Sequence, residues 1–189
     1  MSKVYKSSPS DYCRLWNSLS KEWKEILATN LELEDCFGPK DLEYLQVIEE
    51  LDCSGHPIND LSPLAYMPNL KSLDISETLV KDLTHLAYLD NLREFHATFC
   101  EFDYMTTFPP IPKLEVLDVS YTYIDSPFQE MISSLTNLRE LYCNSCGLKS
   151  ILGVTKMENL SILSAYFNNI PEHEWGIVRE YAPACQILS

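Results

Sequence analysis

The chain has 189 residues, 46% of them hydrophobic, with 14 basic and 28 acidic side chains. That is enough for one ordinary globular core and too apolar for an intrinsically disordered chain. A formal charge of −14 leaves few cations for a phosphate-contacting patch, so nucleic acid and an anionic membrane surface are not expected as partners.

The opening MSKVYKSSPSDYCRLW lacks the apolar core of a secretory signal, and the closing ACQILS carries no anchor motif. No apolar run reaches the roughly 18–20 residues that span a bilayer. Seven cysteines cannot all pair internally. The expectation is a cytoplasmic protein with reduced thiols.

Residues 9–31 place Tyr12, Leu15, Trp16, Leu19, Trp23, Ile26, Leu27 and Leu31 at helical spacing. This predicts a cap of one helix or two, the second starting at Lys21 behind Ser20 as its N-cap. Asp41 to Val47 predicts a partial unit or a last cap turn. Residues 1–7 and the turn Phe37-Gly38-Pro39 are expected to be flexible.

From Ile48 the chain repeats itself. Ile48, Leu70, Leu92, Leu114, Leu138 and Leu160 begin six units, all of 22 residues except the fourth, which has two more. Position 4 is Leu51, Leu73, Phe95, Leu117, Leu141 and Leu163. Position 6 is Cys53, Ile75, Ala97, Val119, Cys143 and Ala165. Position 9 is His56, Thr78, Cys100, Thr122, Cys146 and Asn168, mostly small or polar groups able to bond the turning backbone. Alternation at positions 4 and 6 predicts a short strand with one buried face. No unit can bury its apolar row alone, so the units must stack. Pro63 and the run Pro109-Pro110-Ile111-Pro112 predict 3₁₀ or extended returns, and residues 127–135 a short helix. Beyond Pro171, Trp175, Val178 and Tyr181 share a helical face, Pro183 ends it, and Ile187-Leu188 tucks back.

This pattern resembles the leucine-rich repeat, LxxLxLxx(N/C/T)xI, in the 22-residue form of internalin-like bacterial proteins and eukaryotic phosphatase regulators. The resemblance covers about residues 48–170 and points to a bacterial protein. It implies an α/β right-handed solenoid, or horseshoe, with a parallel sheet on the concave side. The expected layout is a helical cap at 1–47, six repeats at 48–170 and a helical cap at 171–189.

Catalytic signals are weak. Cys143-Asn144-Ser145-Cys146 spells CxxC, but no second CxxC or βαβ context accompanies it, and both cysteines fall on inward positions. No phosphate-binding glycine loop, nucleophile elbow or zinc-protease motif is present. Position 5 reads Asp52, Asp74, His96, Asp118, Tyr142, Ser164. Asp74 and Asp118 should therefore flank His96 on adjacent strands, favour its imidazolium form and offer a pH-sensitive contact or a metal site. A solvated charge ladder is the plainer account. An open sheet neither encloses a small substrate nor excludes water, so no enzyme, metal or cofactor is expected.

The concave face is the expected binding surface, through positions 2, 3, 5, 7 and 8. Its early units carry Glu49, Glu50, Asp52, Asp74 and Glu77, and its later units Phe99, Tyr121, Tyr142, Tyr166 and Phe167. Aromatic side chains anchor protein interfaces, and carboxylates steer a basic partner. The predicted site is Phe99, Tyr121, Tyr142, Tyr166 and Phe167 as anchors, with Glu50, Asp52, Asp74, His96 and Asp118 around them. Arg93, Glu94, Arg139 and Glu140 are expected to pair across strands. The expected function is a non-enzymatic protein- or peptide-binding module. The alternatives are a regulatory subunit of a signalling enzyme such as a phosphatase, and an internalin-like adhesin if the chain is a fragment. The plain structural account of the aromatics is mutual stacking over strand ends.

Overall fold

The computed structural model describes residues 9–32, 38, 41–102, 108–124 and 135–189. The turn at residues 37–39, all but Gly38, and nearly all of the helix predicted over 127–135 lie outside them, as do residues 1–7.

Two helices open the described chain, α1 (Pro9–Ser18) and α2 (Lys21–Asn30). The break between them is at Ser20, whose hydroxyl accepts the Trp23 N–H and caps α2. Leu15, Leu19, Trp23, Ile26 and Leu27 are buried on one side of the pair. The Trp23 indole N–H reaches the Asp60 carbonyl at 2.9 Å and ties this cap to the first unit. Asn30 at the end of α2 does what a neighbouring strand would do. Its amide donates to the Asp52 carbonyl and accepts the Asp52 N–H, both at 2.8 Å, which closes the sheet's first edge.

Seven three-residue strands follow: β1 (Glu50–Asp52), β2 (Ser72–Asp74), β3 (Glu94–His96), β4 (Val116–Asp118), β5 (Glu140–Tyr142), β6 (Ile162–Ser164) and β7 (Gln186–Leu188). They pair in chain order, all parallel, and residue 4 of each unit faces residue 4 of the next. The returns contain 3₁₀ turns at Ser62–Tyr66, Thr84–Tyr88 and Leu152–Lys156. Another, Asp41–Gln46, precedes β1 and buries Leu42 and Leu45. The result is an α/β solenoid with one continuous core between sheet and returns. Among the described residues no helix is long and apolar enough to cross a membrane.

The six repeats account for six strands, and the structure adds a seventh. Helix α3 (Glu172–Tyr181) packs Trp175 and Val178 against the last unit, and the chain then returns so that Ile187 pairs with Leu163. Tyr181, assigned to the buried face from spacing alone, is exposed at the end of that helix. Glu174 is buried in the same cap, where its carboxylate accepts the Ser150 hydroxyl and the Ile151 N–H, each at 2.8 Å.

Side-chain ladders hold the units in register. From the third unit on, position 9 donates to the position 6 carbonyl of the unit before it: Thr122 to Ala97 at 2.7 Å, and Asn168 to Cys143 at 2.8 Å. The thiols of Cys100 and Cys146 do the same toward Ile75 and Val119. A second ladder runs along the turns before β2, β3, β5 and β6. Asn69, Asn91, Asn137 and Asn159 each donate to a carbonyl of the preceding turn, at Gln46, Pro68, Pro112 and Thr136. These bonds satisfy backbone groups that the tight coil would otherwise leave unpaired.

Candidate functional site

The strands place positions 3 and 5 outward and position 4 inward. Asp74, His96 and Asp118 stand on adjacent strands in direct register. The carboxylates serve their own chain, however. One oxygen each of Asp52, Asp74 and Asp118 accepts the N–H two residues on, at Ser54, Ser76 and Ser120, at 2.7–2.9 Å. These bonds end each strand and begin its turn. Among the described residues no ion pair joins His96 to either neighbour. Nor does any group of three His, Cys, Asp or Glu there sit where it could hold a metal ion.

The charged pairs differ from expectation. Glu115, not Glu94 or Glu140, takes both guanidiniums: Arg93 on one side and Arg139 at 3.7 Å on the other. Glu94 accepts the Ser72 hydroxyl, and Glu140 accepts the Tyr142 hydroxyl at 2.8 Å. Lys71 pairs with Glu49 at 2.6 Å. Position 2 therefore forms its own charge ladder, one step closer to the strand entrance than the sequence suggested.

Tyr142 is half-buried rather than an open anchor, and its bond to Glu140 pushes the phenol above its ordinary pKa. In the second and fourth units position 7 is likewise less exposed than expected: Ser76 and Ser120 are buried and accept the Thr98 and Asn144 N–H groups, whereas Tyr166 of the sixth unit is exposed.

Position 8 carries the most informative feature. In every unit it has a left-handed backbone: Gly55, Glu77, Phe99, Tyr121, Ser145 and Phe167 have φ between 54° and 69°. The turn out of the strand requires this of whatever residue stands there. Glycine or asparagine suits such a position, and bulky side chains are rare in it. Three of the six are nonetheless aromatic and open to solvent. Phe99 and Tyr121 lie face to face, centroids 4.5 Å apart and planes within 1°, yet remain 56% and 49% exposed. Phe167 is 84% exposed and meets Tyr166 only at a tilted 6.3 Å. Stacking accounts for part of the first pair and for little of Phe167. Sequence spacing identified these residues but not their backbone; glycine at position 8 of the first unit was the only hint.

A measurable consequence follows. A left-handed non-glycine residue costs about 1–2 kcal/mol, and glycine returns about 0.4–1 through the unfolded chain. Phe167→Gly should therefore stabilise the protein by about 0.5 kcal/mol in urea unfolding. A loss of more than about 1 kcal/mol would make the ring a packing element after all.

The CxxC pair is buried and inward. Cys143 and Cys146 are both inaccessible, as are Cys53 and Cys100. Burial, the largest influence on each, pushes all four thiols up, Cys146 to about 12. Neutral thiols are poor nucleophiles. Iodoacetamide at pH 8 should label exposed Cys13 quickly and these four only as fast as the chain unfolds, read by mass spectrometry. The neutral form of Cys146 is favoured by folding, so its contribution to stability is complete below the ordinary thiol value of 9.0 and is lost as pH rises through about 12. Rapid native labelling at Cys143 or Cys146 would refute the assignment.

No protein-family model matches the chain, and no curated protein does. Solved structures do. An internalin, InlF, from Listeria monocytogenes superposes with a TM-score of 0.71 at 14% identity, covering 94% of this chain and 57% of its own. Internalin C2 of the same organism gives 0.67 at 21%, covering 97% and 83%. A leucine-rich repeat protein of Leptospira interrogans gives 0.66 at 21%, covering 80% and 39%. The chain thus spans less than two thirds of two of these three neighbours. Its fold is the leucine-rich repeat solenoid.

Proposed function

We propose that the chain is a non-enzymatic module that binds a protein or peptide on its concave sheet, anchored along the position 8 rim. One observation carries this reading: exposed aromatic side chains occupy left-handed positions where stability alone favours glycine. Backbone strain kept at an exposed site marks selection for something other than folding. Rings held on a rigid scaffold lose little freedom on binding. Phe99, Tyr121, Tyr166 and Phe167 form the anchoring rim, with half-buried Tyr142 as a floor between them. The acidic early units, with Glu50, Asp52 and Asp74, and Asp118 beyond them favour a partner of basic character and disfavour nucleic acid. His96 interrupts that acidic row. The neutral buried thiols suit a reducing compartment, and the cytoplasm is the proposed location.

The test is retention of proteins from native lysate, wild type beside Phe99→Gly/Tyr121→Gly/Phe167→Gly. Glycine relaxes the backbone at all three sites but removes the Phe99–Tyr121 stack, so the variant is compared at a temperature where its urea midpoint shows it folded. A protein held by the wild type and lost by the variant supports the reading. Equal retention, or none by either, refutes it.

A second reading, part of an internalin-like surface adhesin, is favoured by the likeness to internalins that are longer than this chain. It requires the protein to be recovered outside the cell, which fractionation decides.

A further inference from the structure

The chain is short of cations, yet three of its 14 stand together at the strand-entrance end of the sheet. Arg93, Lys113 and Arg139, with Glu115, Asn137 and Asn159, line a cleft of about 300 Å³. That is the small end of the range for ligand sites. The cleft lies at positions 2 and 22, at the opposite end of the strands from the aromatic rim.

Two departures from the repeat build it. At the turn before β4, where four other turns carry the ladder asparagine, the chain has Lys113. Lys113 instead donates its ammonium to Asn91 Oδ1 at 2.9 Å, which holds the charge beside the cleft. Glu115 is bracketed by guanidiniums on both neighbouring strands, one more cation than an ion pair needs. With Lys113 counted, three cations face a single carboxylate, and two positive charges are left in a chain of net −14.

We infer that this cleft is a binding site for a phosphoryl dianion, a phosphate monoester or inorganic phosphate. The charge matches that of a monoester at neutral pH. Guanidiniums present paired donors that fit phosphate oxygens, and an ammonium adds a point charge. Glu115 spaces the two arginines and holds them over the cleft. The site does not depend on the concave rim, and either holds if the other fails.

The experiment titrates inorganic phosphate, O-phospho-L-serine and succinate into the ¹⁵N-labelled protein at low ionic strength, following the arginine Nε–H resonances. Both phosphates should saturate, at least about tenfold tighter than succinate, a dianion of the wrong geometry. Phosphoserine binding more tightly than inorganic phosphate would identify a phosphorylated side chain as the source, and equal binding a free anion. Lys113→Asn should weaken phosphate binding about fivefold or more without lowering the unfolding midpoint, because asparagine rejoins the ladder. Glu115→Gln should strengthen it by removing the competing carboxylate. Non-saturating shifts, succinate binding as tightly as phosphate, or unchanged affinity in Lys113→Asn would each overturn the inference.

Discussion

Replacing Phe95 by alanine should cost about 3–5 kcal/mol of stability. Phe95 holds position 4 of β3, where the other repeats carry leucine, and it is completely buried. Its ring meets Phe108 edge-on at 5.9 Å, and Phe108 meets Phe102 edge-on at 6.0 Å. Such geometry adds to the burial of each ring. Phe108 stands where other units place Leu64, Leu86 and Val154, and it begins the proline-rich return of Pro109 to Pro112. The larger ring of Phe95 matches the larger residue across the core. Alanine would leave a cavity bounded by strands on both sides, and neither neighbour can collapse without losing its register. Phe95→Leu restores the residue of the other units and should cost only about 1 kcal/mol. Urea unfolding with an unchanged m-value measures both. A loss below about 1.5 kcal/mol for Phe95→Ala would mean that the three-ring cluster is not tightly packed.

That contrast shows what the repeat makes legible. Periodicity fixes which residues point inward, because a strand alternates and stacked units share a register. The pairing of Asp74, His96 and Asp118 follows from the same count. What the residues then do with their polar ends does not follow. Asp74 and Asp118 had two competing uses, a cross-strand contact and a bond to their own turn, and the local bond won. The Arg93 and Arg139 pairs differ from the expected ones because Glu115 shares their position 2 on the unit between them, whereas Glu94 and Glu140 stand one residue further along, at position 3. The seventh strand had a weak signal. Ile187 stands 24 residues beyond Leu163, the spacing that already separates Leu117 from Leu141. The helical segment between obscured it, since it replaces the apolar landmarks of a return with Trp175 and Val178.

Asn168→Ala is the polar counterpart of the Phe95 experiment and should cost about 3 kcal/mol. Asn168 closes the ladder of position 9, and its amide is the busiest side chain in it. Oδ1 accepts the N–H groups of Cys146 and Leu148, both at 3.0 Å. Nδ2 donates to the carbonyls of Cys143, Ala165 and Tyr166 at 2.8–3.2 Å. Alanine strands those groups where the coil is too tight to reorganise, and each buried orphan costs about 1–3 kcal/mol, less where water enters. Thr122 shows what a smaller side chain recovers: its hydroxyl accepts the Cys100 N–H at 3.0 Å and donates to Ala97. Asn168→Thr should therefore keep the inner bonds, lose the one to Leu148 and cost about 1 kcal/mol. The order asparagine, threonine, alanine in urea midpoints is the expected result, and equal midpoints for threonine and alanine would reject the ladder account. The effect also reaches the rim. Asn168 follows Tyr166 and Phe167 directly and bonds the Tyr166 carbonyl, so it holds the turn that aims both rings. Loss of partner affinity in Asn168→Ala at a temperature where the variant stays folded would separate aiming of the rings from their mere presence, which the glycine variants remove.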